Sequence, residues 1–395
     1  MRKETLSKET FFLCLACVLS NVSYYPALVS SGMGRIFAIA IWIFLAITLF
    51  FRGVCFACSS FFHAHLLLYF IFTLNTAITG VVNDVNAFYN HFFQVVTIST
   101  IILIVAIRYG LNFKTVDLKR ICISYYITTS IMAIPLFIFY LRGSDLSSSV
   151  YDYVFGKNEI AVMLVSSLII GSILYEPDNR LKRVFKIVSI LFLLTDILYL
   201  RCRASFLGVI FLLGTLSIYS NKMTQKLRIT VILGLFAVTV YFLANPDSFD
   251  TFLNQIVYAG RDVSDITDVS SGRDKEIKLG FELFSKAPVL GFGHAGTTID
   301  CFYASALANY GLLAWPLIAM ALLPVIWSWI NLKNGKKEDI CFFIVAVSMF
   351  FISVFEELAP FGPGSRCYIL WLMWGILLQI NSRGSIVQII TKKMR

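Results

Sequence analysis

Apolar stretches of about twenty residues, separated by short polar or charged segments, run along almost the whole chain. A helix needs about 20 mostly apolar residues to cross a bilayer. The pattern therefore predicts an all-α integral membrane protein, a single polytopic domain over residues 1–395 with about twelve transmembrane helices. The predicted spans are 11–31, 34–51, 60–82, 88–107, 121–141, 159–175, 184–200, 204–220, 228–244, 302–330, 340–356 and 367–381.

The composition supports this class and excludes others. Hydrophobic residues make up 58% of the 395 residues and charged residues 14%, whereas soluble domains are about 25% charged. A soluble core of this size has no room for so much apolar side chain. A soluble enzyme, a nucleic-acid-binding protein and a disordered protein are therefore excluded for the chain as a whole.

The net charge of +10 follows from the distribution of charge along the chain. If the N-terminus is cytoplasmic, 22 of the 33 basic residues fall on cytoplasmic segments and 16 of the 23 acidic residues fall on the outer side. This is the bias expected of membrane proteins. An even number of spans also returns the C-terminus to the cytoplasm, and attraction to anionic lipid suits the positive charge. No nucleic-acid partner is needed to explain it.

One outer connection is long, the loop 245–301 between the ninth and tenth spans. Within it, the stretch from Arg273 to Lys286 mixes apolar and charged residues at helical spacing. We predict a short amphipathic helix that lies flat over the membrane surface. Ser270 or Ser271 is a suitable N-terminal cap, and Pro288 follows its predicted end.

The nine cysteines indicate no metal site. Cys14 and Cys17, and likewise Cys55 and Cys58, have the spacing of zinc ligands. Neither pair is followed by a second such pair or by two histidines at zinc-finger distance. We interpret these cysteines as small apolar residues of membrane helices.

Arginines on the predicted outer side are the first candidates for chemistry. Arg201 and Arg203 lie in a tight turn between the seventh and eighth spans, and Arg273 begins the loop helix. Ionisable groups at membrane level are costly and usually functional. A guanidinium group matches phosphate oxygens with a planar fork. The alternative interpretations are headgroup snorkelling for Arg201 and Arg203 and a solvated helix face for Arg273.

Carboxylates on the same side are the second candidates. Asp300 immediately precedes the long tenth span, so it is either a helix cap or a base that faces the site. Glu356 and Glu357 form a smaller cluster with Arg366. The outer loop 142–158 ends at Asn158, an amide of a type that binds sugar hydroxyls; a plain solvated loop is the alternative there.

Several short segments resemble the superfamily of O-antigen polymerases and ligases, the Wzy/WaaL-type membrane glycosyltransferases. The resemblance covers mainly the second half of the chain. The matching segments are Cys202–Gly208, Arg273 with the helix that leads to Pro288–Gly293, Thr298–Asp300, Ala308–Gly311 and, more weakly, Gly156–Glu159. Their order and their position on the predicted outer side strengthen the resemblance.

One departure favours the polymerases. Ligases of this superfamily typically have a His-Asn pair upstream of the glycine that matches Gly311, where this chain has Asp300 and Cys301. His294 lies six residues before Asp300 and substitutes only if the loop folds back. The Thr-Ile-Asp pattern is more similar to the polymerases.

The resemblance implies a metal-independent, inverting glycosyl transfer at the periplasmic face of a bacterial inner membrane, without a cofactor. Oligosaccharide repeats carried on undecaprenyl diphosphate would serve as donor and acceptor, and a chain-length regulator is an expected protein partner. The expected catalytic residues are Arg203, Arg273 and Asp300, with Glu356, Glu357 and His294 as alternative bases. The expected substrate-binding residues are Asn158, Arg201, Arg261, Tyr303, Glu356, Glu357 and Arg366.

Two alternative functions remain open from the sequence. A ligase that moves a finished glycan onto lipid A–core needs the same donor site, so the arginines do not discriminate it from a polymerase. A flippase is less well supported, because such transporters are built from internal repeats with charged groups near the midplane. Here the ionisable groups gather at the outer edge.

Overall fold

The computed structural model describes residues 7–52, 59–143, 157–200, 203–219, 272–294, 299–357, 359–361 and 367–393. Within these ranges the chain forms helices and no strands. The helices are α1 (Lys8–Val22), α2 (Pro26–Ser30), α3 (Met33–Arg52), α4 (Ser60–Val82), α5 (His91–Tyr109), α6 (Thr115–Gly143), α7 (Lys157–Ile173), α8 (Arg180–Tyr199), α9 (Arg203–Tyr219), α10 (Arg273–Lys286), α11 (Phe302–Tyr310), α12 (Trp315–Leu332), α13 (Lys337–Ile352) and α14 (Tyr368–Lys393).

The predicted fold class is confirmed at the level of a helical membrane protein. Four stretches of the described chain are long and apolar enough to cross a bilayer, and three shorter helices are apolar as well. The long stretches are Ser60–Val82, His91–Asn112, Thr115–Ile138 and Phe302–Leu332. The predicted span 228–244 lies outside the described residues, and the total of twelve spans stays a prediction.

Three predicted spans differ from the helices in the structure. The first divides into α1 and α2, because the chain turns at residues 23–25 and α2 starts on a proline. The tenth divides into α11 and α12 around a 3-10 turn at Gly311–Ala314, where Gly311 has a φ of 58°. The last continues beyond residue 381 as α14, which ends at Lys393.

The core of the bundle is apolar and rich in aromatic side chains. Trp371 stacks on Phe361 with ring centroids 5.0 Å apart, and Trp42 contacts Tyr368 at 5.5 Å. Leu, Ile and Phe side chains outside the core are exposed along several helices, which suits a lipid environment. Helix α14 packs against α5, α1 against α6, and α13 against α9 and α12.

Ion pairs gather where helices that are predicted to meet the cytoplasm begin or end. Lys119 near the start of α6 pairs with Glu338 at the start of α13, at 3.1 Å. Lys337 pairs with Glu176, which follows α7. These segments therefore share one end of the bundle, and the far end of α13 leads to the opposite end. The prediction had assigned all of them to one side of the membrane.

Candidate functional site

The loop helix α10 is docked firmly on α11 at the end of the bundle opposite these lysine pairs. Gly280 of α10 lies so close to α11 that an added Cβ would be 2.9 Å from the Ala304 Cβ. Ile277 and Leu283 pack on a small buried cluster formed by Ile299, Cys301, Ala304 and Ala308. Close contact between small residues and this apolar cluster fix the direction of α10, and with it the position of Arg273.

The structure has a helix, α10, where the sequence predicts one, and the predicted caps Ser270 and Ser271 lie outside the described residues. The helix runs from Arg273 to Lys286 and stops two residues before Pro288. Gly272 occupies the N-cap position with a φ of 80° and makes no side-chain capping bond. Glycine adopts this left-handed conformation without the steric cost that a side chain adds.

Arg273 joins two carboxylates from different parts of the chain. Its Nη2 atom lies 3.3 Å from Oε1 of Glu356 and 3.8 Å from Oδ2 of Asp300. The side chains of Arg273 and Glu356 are 15% and 11% exposed, while that of Asp300 is 48% exposed. Three residues that the sequence singled out therefore converge, and Asp300 is the one most open to a substrate.

Asp300 is not the cap of the helix that follows it. Cys301 occupies the N-cap position of α11, and no side chain there accepts a capping hydrogen bond. The backbone N–H of Asp300 instead donates to Oε2 of Glu276 at 2.8 Å. The interpretation of Asp300 as a structural cap is therefore wrong, and its carboxylate faces Arg273.

Glu276 is a member of the site that the sequence analysis missed. It lies three residues after Arg273, a spacing that places two side chains on one face of a helix. That spacing was the available signal. The acid on its own is indistinguishable in sequence from Glu282, which is exposed on the same helix.

Glu357 and Tyr303 are held at the same end by serines. Ser305 of α11 donates through Oγ to Oε1 of Glu357 at 2.7 Å. Ser353 donates through Oγ to the Tyr303 hydroxyl at 3.0 Å, and its backbone carbonyl accepts from the N–H of Phe302. The start of α11 and the segment after α13 are thereby fastened together, and Glu356 of that segment pairs with Arg273.

Four carboxylates lie close together in the described part of this site. Arg273 pairs with Asp300 and Glu356, and the charges of Glu276 and Glu357 interact with that of Asp300. Burial raises the pKa of Glu357; the Ser305 hydrogen bond opposes that shift, and the charges of Asp300 and Glu276 add to it. Burial also raises the pKa of Glu276, against the N–H of Asp300 and the charge of Arg273, which lower it.

Two motif segments that carried the resemblance have a structural role here. The passage 288–293 lies against the end of α11. The N–H of Gly293 donates to the carbonyl of Asn309 at 2.7 Å, and the N–H of Leu312 donates to the carbonyl of Pro288 at 2.8 Å. An added Cβ on Gly291 would lie 2.4 Å from the Asn309 carbonyl carbon. Gly291 and Gly311 therefore allow the two backbone segments to cross in close contact.

The other predicted site residues lie outside what the structure describes. Arg201, Arg261 and Arg366 belong to segments without described coordinates. Arg203 and Asn158 lie in the first turns of α9 and α7, and their side chains are outside the described part. The assembled part of the site thus consists of Arg273, Asp300, Glu356, Glu357 and Tyr303 from the prediction, together with Glu276, Ser305 and Ser353. Within the described ranges, no three His, Cys, Asp or Glu side chains are grouped to hold a metal ion.

Comparison with protein-family models, with curated proteins and with solved structures gives no match to this chain.

Proposed function

We propose that the protein is a membrane glycosyltransferase that polymerises oligosaccharide repeats carried on a polyprenyl diphosphate. The observation that supports this most is the placement of Arg273 between Asp300 and Glu356 at one end of an apolar helical bundle. A lipid-linked substrate keeps its tail in the bilayer and its sugars at the surface. A carboxylate site at the end of the bundle is where its hydroxyl groups would meet a base.

The proposed reaction requires two kinds of group. The acceptor hydroxyl oxygen bonds to the anomeric carbon of the donor, and the bond from that carbon to the diphosphate oxygen breaks. The diphosphate leaves with the electron pair and the hydroxyl proton passes to a carboxylate. Fixed cations stabilise the leaving charge, and carboxylates take the proton.

The charges assign the stabilisation of the diphosphate and the binding of the acceptor sugar to different groups of candidate residues. Arg273 is already neutralised by Glu356 and Asp300, so its first task is to hold them in place. A diphosphate is repelled by four neighbouring carboxylates. We therefore assign the diphosphate to Arg203, with help from Arg201 and Arg261, and the acceptor sugar to the carboxylates around Arg273.

Deletion of the gene from its host tests the proposal directly. A host without the polymerase is expected to attach single repeats to the final acceptor and to lack the ladder of longer glycans. Complementation with the unaltered gene restores the ladder, and Arg203→Ala does not. Loss of the single repeats as well would indicate a ligase instead.

Purified protein provides the second test. Incubated with lipid-linked repeats from the deletion strain in detergent, it is expected to form polymer and release polyprenyl diphosphate. Detergent removes any ion gradient, so polymer formation under these conditions excludes a transport mechanism. Protein that binds the repeats and joins none of them would contradict the proposal.

A further inference from the structure

A line of buried hydrogen bonds leads from α5 to the carboxylate of Glu357. Asn90 donates through Nδ2 to Oδ1 of Asn309 at 3.0 Å, and Asn309 donates through Nδ2 to the carbonyl of Ser305 at 2.8 Å and to its Oγ at 3.4 Å. Ser305 in turn donates to Glu357 at 2.7 Å. Asn90, Asn309 and Ser305 are all at least nine-tenths buried.

The direction of this line is fixed by groups that play only one role. A backbone carbonyl only accepts, so the bond to the Ser305 carbonyl identifies the NH₂ end of Asn309. Its oxygen then faces Asn90, whose Nδ2 also donates to the carbonyl of Gly293 at 2.9 Å. Because Ser305 Oγ accepts from Asn309, its single proton is committed to Glu357.

The anchor of the line belongs to the rigid part of the fold. The Oδ1 atom of Asn90 accepts from the N–H of Phe92 at 2.9 Å and caps helix α5. Any rotation of the Asn90 side chain would break the cap, the bond to Gly293 and the bond to Asn309 together. Ser305 is thus held in one orientation, and one carboxylate oxygen of Glu357 is held with it.

The three carboxylates that face the site differ in their electrostatic partners. Asp300 and Glu356 share the charge of Arg273. Among the described residues, Glu357 has no ion pair and its hydrogen-bond partner is the neutral hydroxyl of Ser305. Burial and the charges of Asp300 and Glu276 raise the pKa of Glu357, which makes it a stronger base than an exposed glutamate.

We propose that Glu357 is the group that accepts the proton of the acceptor hydroxyl, and that Ser305, Asn309 and Asn90 are positioning residues that orient it. This inference rests on the proposed glycosyl transfer. The proton moves from the hydroxyl oxygen to the carboxylate oxygen of Glu357 that Ser305 does not hold. Asp300, half exposed and paired with Arg273, binds the acceptor sugar instead.

The test measures the rate of polymer formation as a function of pH. The purified protein is given polyprenyl-diphosphate-linked repeats isolated from the deletion strain. A base acts in its ionised form, so the rate of the unaltered protein is expected to rise with pH to a plateau. Among the described residues, the charges of Asp300 before α11 and Glu276 on α10 act on Glu357. Glu356 is its neighbour in the chain and pairs with Arg273.

Glu357→Gln keeps the shape and the bond from Ser305 and removes the proton acceptor. Its plateau rate is expected to fall by about 10²–10⁴-fold, the usual contribution of a general base. Asp300→Asn is expected to lower the rate by about tenfold or less and mainly to raise KM, since it removes a sugar contact and no base. An active Glu357→Gln enzyme with an inactive Asp300→Asn enzyme would overturn the assignment.

Ser305→Ala tests the positioning line with a readout that ordinary destabilisation does not change. The Ser305 hydrogen bond stabilises the ionised form of Glu357, so its loss raises the pKa of that group. The rising limb of the pH profile is expected to move to higher pH by about one unit, with a plateau within several-fold of the original. Ser328→Ala is the control, because Ser328 is also buried and bonds only within its own helix.

The possible failures are distinguishable. If the unaltered protein forms no polymer, the proposed function itself is wrong. If it forms polymer and Ser305→Ala lowers the rate equally at every pH, the line is structural only and the inference is overturned. Gel filtration in detergent shows whether Glu357→Gln folds. If it does not, the pH profile of Ser305→Ala still decides whether Glu357 is the base.

Discussion

At one end of the bundle, Lys337 pairs with Glu176 and Lys119 with Glu338, one cation to each carboxylate. At the other end, Asp300 and Glu356 share one cation, Arg273, and the charges of Glu276 and Glu357 act on Asp300. The two ends are joined by α13, which has 16 residues and is therefore about 24 Å long. Among the described residues, the ion pairs at the lysine end are one to one, whereas at the arginine end two carboxylates share one cation and two more carboxylates lie close by.

The contrast indicates where the protein gives up stability for function. An exposed one-to-one pair such as Lys337–Glu176 contributes about 0–1 kcal/mol and costs little to keep. Partly buried carboxylates in excess destabilise the folded state, so a site that retains them is a functional candidate. Asp339 is an exception at the lysine end, because both of its buried carboxylate oxygens are without a hydrogen-bond partner among the described residues; it lies in the first turn of α13, where the helix dipole favours negative charge.

Orientation in the membrane gives the sharpest test of this comparison. A reporter fused after Lys337 is expected to read cytoplasmic, and one fused within 260–272 is expected to read periplasmic, because positive residues favour the cytoplasmic side. The readings are all-or-none. Paired alkaline phosphatase and fluorescent-protein fusions measure both sides. Two readings on the same side would break the assignment of the two ends.

Removing the cation at each end is expected to have very different effects on activity. Arg273→Ala removes the cation that Glu356 and Asp300 share, and the polymerisation rate should fall by about 100-fold or more. Lys337→Ala removes an exposed pair, and the rate should stay within about twofold. Glycan ladders and initial rates measure both, with protein level checked by blotting. Equal losses for the two variants would show that the ends do not differ in function.

The packing at the two ends can be compared at two glycines that have nearly the same backbone conformation. Gly291 has a φ of 63° and Gly335 a φ of 65°, but only Gly291 has backbone atoms 2.4 Å from an added Cβ; nothing lies within 4 Å at Gly335. Gly335→Ala should cost about 1–2 kcal/mol from conformation alone. Gly291→Ala should cost clearly more, because the chain crossing must open. Thermal unfolding in detergent measures both, and equal losses would contradict the close crossing.

The smallest expected effect is a pH dependence of opposite sign at the two ends. The hydrogen bond from Lys337 lowers the pKa of Glu176, so its contribution to stability is present above its unfolded pKa of about 4.3 and is lost as the pH falls. Burial raises the pKa of Glu276, so its contribution is present below about pH 4.3 and is lost as the pH rises toward the folded pKa.

Glutamine variants separate the two contributions. Relative to the unaltered protein, Glu176→Gln should lose stability near neutral pH, by a few tenths of a kcal/mol because the pair is exposed. Glu276→Gln should gain melting temperature toward neutral pH. Glu282→Gln on the same helix as Glu276 is the control, since Glu282 is exposed. A pH dependence of the same sign in both variants would contradict the comparison.

Local patterns determined a large part of this protein. The apolar runs predicted most of the helices, and the mixed stretch from Arg273 to Lys286 predicted the loop helix to the residue. The cost of placing charge near a membrane singled out Arg273, Asp300 and Glu356 as candidates. Each of these inferences depends on neighbouring residues or on one side chain, and such information is present in the sequence itself.

The tertiary structure decided which of these residues meet. Arg273 and Glu356 are 83 positions apart, and no periodicity predicts a contact over that distance. Glu276 reaches the backbone of Asp300 because Gly280 allows α10 to rest on Ala304, and Ser305 joins the site through its bond to Glu357, 52 positions away. The role of Asp300 likewise depended on the fold, because the cap of α11 is Cys301 and the carboxylate turns toward Arg273. Side-chain chemistry is thus readable from the sequence, whereas its arrangement comes from packing between distant segments.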